Sequence, residues 1–177
     1  NTAVKVAGNW TAYKPVKADT RKVLDEIKAS TSDSDAHNAE ALTALEARFT
    51  AAVGWETERF DYVKAKTLME GIRTDAQALA EPIAHYKAYK VQLDALEVEL
   101  AKLDQLNTAG SVDPVLGRIR NKRDTAIAIA DGGNRQQATV LLAVAVDEVQ
   151  VALLDGGAIN QFSEDTAKIG SDAAADD

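Results

Sequence analysis

The chain has 177 residues, of which 46% are apolar and 5% aromatic; it has no cysteine and a net charge of −8. That length supports one sizeable domain or two small ones with a packed core, and the missing cysteines exclude disulfides and thiolate chemistry. The charge is −2 over residues 1–81, −2 over 82–155 and −4 over 156–177, so no basic field exists to hold nucleic acid.

Abundant alanine, few glycines and three prolines are the composition of an α-helical protein. The chain starts at Asn1 without a methionine and shows no signal peptide. This fits a processed mature chain or a piece of a longer one, soluble and either cytoplasmic or exported without disulfides.

Capping residues and apolar spacing predict six helices. The first covers about 11–29, with Tyr13, Val16, Val23, Leu24 and Ile27 on one face. STSDSDAHN follows as a loop rich in N-cap residues. The second covers about 36–53 and ends at Gly54. The third begins after Asp61 and carries Ala65, Leu68, Met69, Ile72, Ala76 and Leu79. The fourth has Tyr86, Tyr89, Leu93, Leu96, Leu100 and Leu103, spaced by threes and fours. NTAGSVDP is the next loop, with Asp113 as N-cap and Pro114 at the first helical position of a fifth helix that runs to about Ala130.

The sixth helix, 134–154, lies between two Asp-Gly-Gly signals. Its unbroken apolar part, Ala138 to Val146 apart from Thr139, is too short to span a bilayer, which takes roughly 20 residues. Gln136, Thr139, Ala143, Asp147 and Gln150 form one narrow polar stripe, so this is expected to be the most buried helix, with any excess apolar face left for self-association or docking. The second Asp-Gly-Gly, residues 155–157, is expected to stop it and to release an acidic tail.

The six helices read as two copies of three, offset by 73 residues. Tyr13-Lys14 falls on Tyr86-Lys87, Ile27 on Leu100, Ala65 on Ala138, Met69 on Leu142 and the N-cap Asp61 on Asn134. With one extra residue in the middle helices, Leu45 meets Ile119 and Val53 meets Ile127. At Pro82 the first copy continues without a glycine or a loop. The fold expected is therefore all-α: two tandem three-helix units, spectrin-like with a shared helix bent near Pro82, or else a compact six-helix bundle. The divisions are 1–81, 82–155 and a tail over 156–177.

Chemistry-bearing patterns are sparse. His37 and His85 belong to no ligand pair, and Asp131-Gly132-Gly133 lacks the phosphate-loop pattern, so no metal, cofactor or catalytic residue is assigned. Arg118, Arg120, Lys122 and Arg123 form the one basic cluster; 118 and 122 share a helix face, as do 120 and 123. It suits pairing with acids such as Glu97 and Glu99, or an acidic partner. Trp10 near the terminus and Trp55 in a loop suit the end of a bundle core or an interface anchor. Val146 is a further candidate interaction residue on the sixth helix.

Trp10 opens a helix that ends Val23-Leu24-x-x-Ile27. A Leu45-x-x-x-Phe49 helix follows, then Ala65-x-x-Leu68-x-x-x-Ile72, leading to Tyr86. Over residues 10–90 this pattern resembles helical segments of large bacterial proteins associated with contractile injection systems and polymorphic toxins. The resemblance implies a carrier or interaction segment without catalytic residues. The function expected is a non-enzymatic structural or interaction module, a spacer or scaffold that binds a protein partner or itself, without nucleic acid or a membrane span. The alternative is an acidic soluble inhibitor or immunity-type protein that binds a basic partner.

Overall fold

The computed structural model describes residues 2–32, 35–107 and 112–175, with side chains over 5–156 of these. The fold is all-α, with six helices among the described residues: α1 Thr2–Ser30, α2 Ala36–Thr57, α3 Tyr62–Ala78, α4 Ala80–Leu106, α5 Asp113–Asp131 and α6 Arg135–Ala175. They belong to two compact units, Asn1–Ala84 and His85–Asp177.

The first unit is built from α1, α2 and α3. Its core gathers Tyr13, Leu24, Ile27, Leu42, Met69 and Ile72, closed by Ile83 from the start of α4. α1 and α3 approach closely because small residues face the contact: Ala65 and Ala76 are buried, and the buried Thr20 places its hydroxyl 2.7 Å from the Val16 carbonyl and 3.2 Å from the Met69 carbonyl. α1 starts nine residues before the expected boundary and passes through Pro15. Pro15 lacks the N–H that would bond to Thr11, so the helix forgoes one backbone bond there.

α2 is capped by the buried Asp35, which accepts from the Asn38 amide. It does not stop at Gly54, because Glu58 N–H still bonds to the Gly54 carbonyl at 3.0 Å. That extra turn places Trp55 and Glu56 on the helix and not in a loop. α3 ends at Ala78, and Leu79 keeps a right-handed conformation (φ −75°, ψ −15°) before α4 begins. The interruption precedes Pro82 by three residues: Pro82 has no N–H for the Ala78 carbonyl, and Leu79 N–H turns to Ala76 at 3.1 Å.

The second unit is built from α4, α5 and α6. Leu96, Leu100 and Leu103 of α4 meet Leu116, Ile119, Ala126 and Ala130 of α5 and Ala138, Leu142, Ala145 and Val149 of α6. The alanines let α5 and α6 lie close together. Val112 and not Asp113 is the N-cap residue of α5. The Asp113 carboxylate instead accepts from the Asn107 side-chain amide at 2.5 Å, and Asn107 Oδ1 accepts from Val112 N–H at 3.2 Å.

The two Asp-Gly-Gly signals behave differently. After α5, Gly133 takes a left-handed φ of 93°. Asn134 N–H reaches the Ile129 carbonyl at 3.1 Å and Gly133 N–H the Ala130 carbonyl at 2.9 Å, a Schellman C-cap. Asn134 then caps α6 by accepting from Gln137 N–H at 3.1 Å. At the second signal no left-handed turn forms at Gly156, and α6 runs on to Ala175. A glycine pair ends a helix where one of its residues turns left-handed; Gly156 does not. The expected stop at 155 is thereby corrected, and the separate tail expected over 156–177 is helix as far as 175, the last two residues lying outside the described residues.

Candidate interaction surface

α6 carries two apolar seams. The inner one is Ala138, Leu142, Ala145, Val149 and Ala152, all buried in the core of the second unit. The outer one is Val140, Val144, Val151 and Leu154, all exposed, from 44% at Val144 to 76% at Leu154. Both seams advance by alternating fours and threes, the seven-residue repeat of packed helices. The outer seam is the inner one shifted by two residues, about 200° around a helix of 3.6 residues per turn. It therefore faces away from the core. In its centre, at the seam position between Val144 and Val151, stands the exposed Asp147.

This geometry corrects the expectation that α6 is the most buried helix. Its water-facing side holds valines and a leucine beside the predicted Gln136, Asp147 and Gln150. The same two seams make Arg135–Gly156 the one helical segment among the described residues long and apolar enough to cross a membrane.

Along one flank of the outer seam runs a groove of 440 Å³. Val112 and Val115 form one wall, Val144, Val151 and Ala152 the other. Arg118, Asp147, Glu148 and Asp155 supply its polar rim. Glu148 is held by Lys122, and Arg118 Nε stands 3.6 Å from Glu148 Oε2. That oxygen is solvent-inaccessible and accepts no hydrogen bond. The hydrogen bond from Lys122, reinforced by Arg118, keeps the Glu148 carboxyl below the usual glutamate range.

The basic cluster divides between two neighbours. Arg118 and Lys122 converge on Glu148 of α6. Arg120 holds both oxygens of Asp104 of α4 at 2.7 Å, and Arg123 reaches Glu97 of α4 at 3.4 Å and Asp124 at 2.8 Å. Glu99 pairs with Lys102 at 2.7 Å. Val146 is half-buried and packs against the core of the second unit.

In the first unit, Trp10 packs edge-on against Tyr62 with ring centres 5.3 Å apart and lies 6.1 Å from Tyr13. With Val6, Thr57 and Phe60 it lines an open cavity of 710 Å³. Trp55 is half-buried against the core, with Arg59 and Lys64 over its ring at 4.0 and 3.6 Å. Phe60 is the one described non-glycine residue with positive φ, 53°, and is 67% exposed. Sequence reasoning passed over Phe60; for α6 it allowed an excess apolar face for docking, but it named Val146, which packs against the core, and not the exposed Val140, Val144, Val151 and Leu154. The signal for the seam was present in the spacing 140, 144, 147, 151, 154, which was absorbed into an expectation of burial.

No group of three or more His, Asp or Glu residues among the described residues could hold a metal, and this includes the surroundings of His37 and His85. Comparison of the chain with protein-family models, curated proteins and solved structures finds no match.

Proposed function

We propose that the chain is a non-enzymatic helical interaction module, a spacer or scaffold segment of a larger bacterial assembly, of the kind that residues 10–90 resemble. The observation that carries this reading is the outer seam of α6. A helix that serves only its own three-helix unit needs one apolar stripe and a polar back. α6 has a second stripe of four large apolar residues on the opposite side, and contiguous exposed apolar surface of this kind marks interaction sites. The membrane alternative for Arg135–Gly156 is disfavoured, because Leu142, Ala145 and Val149 are packed against α4 and α5 and Asp147 sits mid-segment.

We further infer that the two units arose by duplication. In support, Asp61 and Asn134 each accept from the amide three residues on, at 3.0 and 3.1 Å. Ala65 and Ala138, Met69 and Leu142, and Ile72 and Ala145 are buried in pairs at the 73-residue offset. Leu42 and Leu116, Leu45 and Ile119, and Ala52 and Ala126 are buried in pairs at an offset of 74. A module made of repeated units is suited to a spacer.

The test is site-specific photo-crosslinking in the native source. A photoreactive side chain at position 151 is compared with one at the exposed Lys22, on the first unit. Adducts to a distinct protein from position 151, lost in a Val144→Asp variant, are expected. Equal adduct patterns from both positions, or none from either, would overturn the reading.

A further inference from the structure

The outer seam also specifies what lies on it. We propose that it receives an amphipathic helix of a partner protein whose apolar residues follow a seven-residue repeat and which places a lysine or arginine opposite Asp147; this rests on the interaction-module reading above. Three observations carry the inference.

The first is periodicity. Val140, Val144, Asp147, Val151 and Leu154 keep the four–three spacing through two heptads. That spacing matches the side chains of a facing α-helix and not those of a strand or an irregular loop. The inner seam of the same helix, with the same spacing, is already filled by helices of its own unit.

The second is charge. Asp147 and Asp155 form no ion pair with any described residue, whereas Glu148 on the same rim is already paired with Lys122 and Arg118. Among the described residues Arg118 is the one cation lining the groove, and it is directed to Glu148. The rim is therefore acidic, and covering it with an apolar helix would leave Asp147 desolvated and unpaired, which is costly. A cation on the incoming helix removes that cost and fixes register, as a polar seam position does in coiled coils.

The third weighs against a second copy as occupant. Asp147 is the midpoint of the seam, seven residues from Val140 and from Leu154. In a two-fold pair centred on the seam, parallel or antiparallel, Asp147 meets its own copy. Like charges placed together in a closing interface oppose assembly.

The probes are three synthetic 22-residue helical peptides with leucine at the seam positions, alanine and glutamine elsewhere, and lysine, leucine or glutamate at the central seam position. Titration calorimetry with the full chain is expected to rank lysine over leucine over glutamate, with lysine at least about tenfold tighter than glutamate. Asp147→Asn should erase that preference, and Val151→Asp should abolish binding of all three. Sedimentation equilibrium should find the chain monomeric and Asp147→Leu self-associating. Equal affinity for the lysine and glutamate peptides, no binding of any peptide, or dimerisation of the unaltered chain that Val151→Asp reverses would each overturn the inference. So would flotation of the chain, but not of Val151→Asp, with vesicles of phosphatidylcholine and phosphatidylglycerol. The crosslinking comparison separates the two levels: partner adducts at position 151 with no lysine preference in the peptides sink the specificity and leave the module.

Discussion

Tyr13 of α1 donates its phenolic hydrogen to Glu56 of α2 at 2.8 Å, and Lys17 donates to the same carboxylate oxygen at 2.6 Å. Both Tyr13 and Glu56 are buried, so a single shared oxygen ties the fourth turn of α1 to the last turn of α2. Hydrogen bonds to charged groups contribute about 1.5–3 kcal/mol. Tyr13→Phe should destabilise the first unit by that order, measured by urea denaturation. Burial first, and then Glu56, raise the Tyr13 phenol well above its ordinary value of 10.0. The folded state thus keeps a proton that the unfolded chain releases. The contribution is complete below pH 10 and is lost as pH rises toward the folded value. Alkaline unfolding followed at 222 nm should set in later in Tyr13→Phe relative to its own stability at pH 7; an unchanged pH slope would contradict the assignment.

At the acid end the sign reverses. Hydrogen bonding from Lys122 holds the Glu148 carboxyl below its ordinary value of 4.5, and hydrogen bonding from Arg21 does the same for Glu46. A carboxyl with a depressed folded value contributes stability above pH 4.5 that is lost as pH falls through the folded value. Lys122→Met should flatten the acid limb of the second unit and Arg21→Met that of the first. Both groups are part-exposed, so the slopes should also weaken in 1 M salt. Melts between pH 2 and pH 6 at two salt concentrations check both statements.

Helix number and order were legible in the sequence because they rest on periodicity and capping: Asp61 and Asn134 were readable as caps and act as caps. The ends of helices were less legible. Gly54 and Gly156 looked like stops, but a glycine also fits inside a helix, and only tertiary context decides whether its φ turns positive. The outer seam of α6 was hidden for a different reason. Valine at 140, 144 and 151 says that a position is apolar and does not say whether its partner belongs to the same chain. Trp10 and Trp55 were visible as unusual residues, whereas the strained backbone of Phe60 leaves no trace in composition.

Phe60 and Gly133 occupy matching turns, each directly before the N-cap of the following helix. Both have positive φ, 53° and 93°. A left-handed conformation costs a side-chain-bearing residue roughly 1–2 kcal/mol, and glycine adopts it freely. Phe60→Gly should therefore raise the stability of the first unit by up to about 1 kcal/mol after the entropy of glycine is counted. Gly133→Ala should lower that of the second by about 1 kcal/mol or more. The two substitutions move in opposite directions at equivalent positions. A loss of stability in Phe60→Gly would mean that its ring contributes more packing over the Trp10 cavity than its exposure implies.

Leu142, Val146 and Val151 share one helix and should respond in three different ways. Leu142 is wholly buried among α4 and α5 side chains. Leu142→Ala removes buried methyl groups and leaves a cavity, which costs about 2–5 kcal/mol. Val146 is half-buried against the same core, so Val146→Asp forces a carboxylate to the edge of apolar packing and should destabilise the unit by several kcal/mol on the order of a buried unpaired charge. Val151 is 59% exposed on the outer seam. Val151→Asp should change stability by no more than about 0.5 kcal/mol, while it removes whatever the outer seam binds. Chemical denaturation of the three variants, with circular dichroism as the signal, orders them. A Val151→Asp chain that melts as early as Leu142→Ala would place the outer seam inside the core and remove the basis for a docking face; equal midpoints for Val151→Asp and the parent chain, with Leu142→Ala far below both, are what two seams on opposite sides of one helix require.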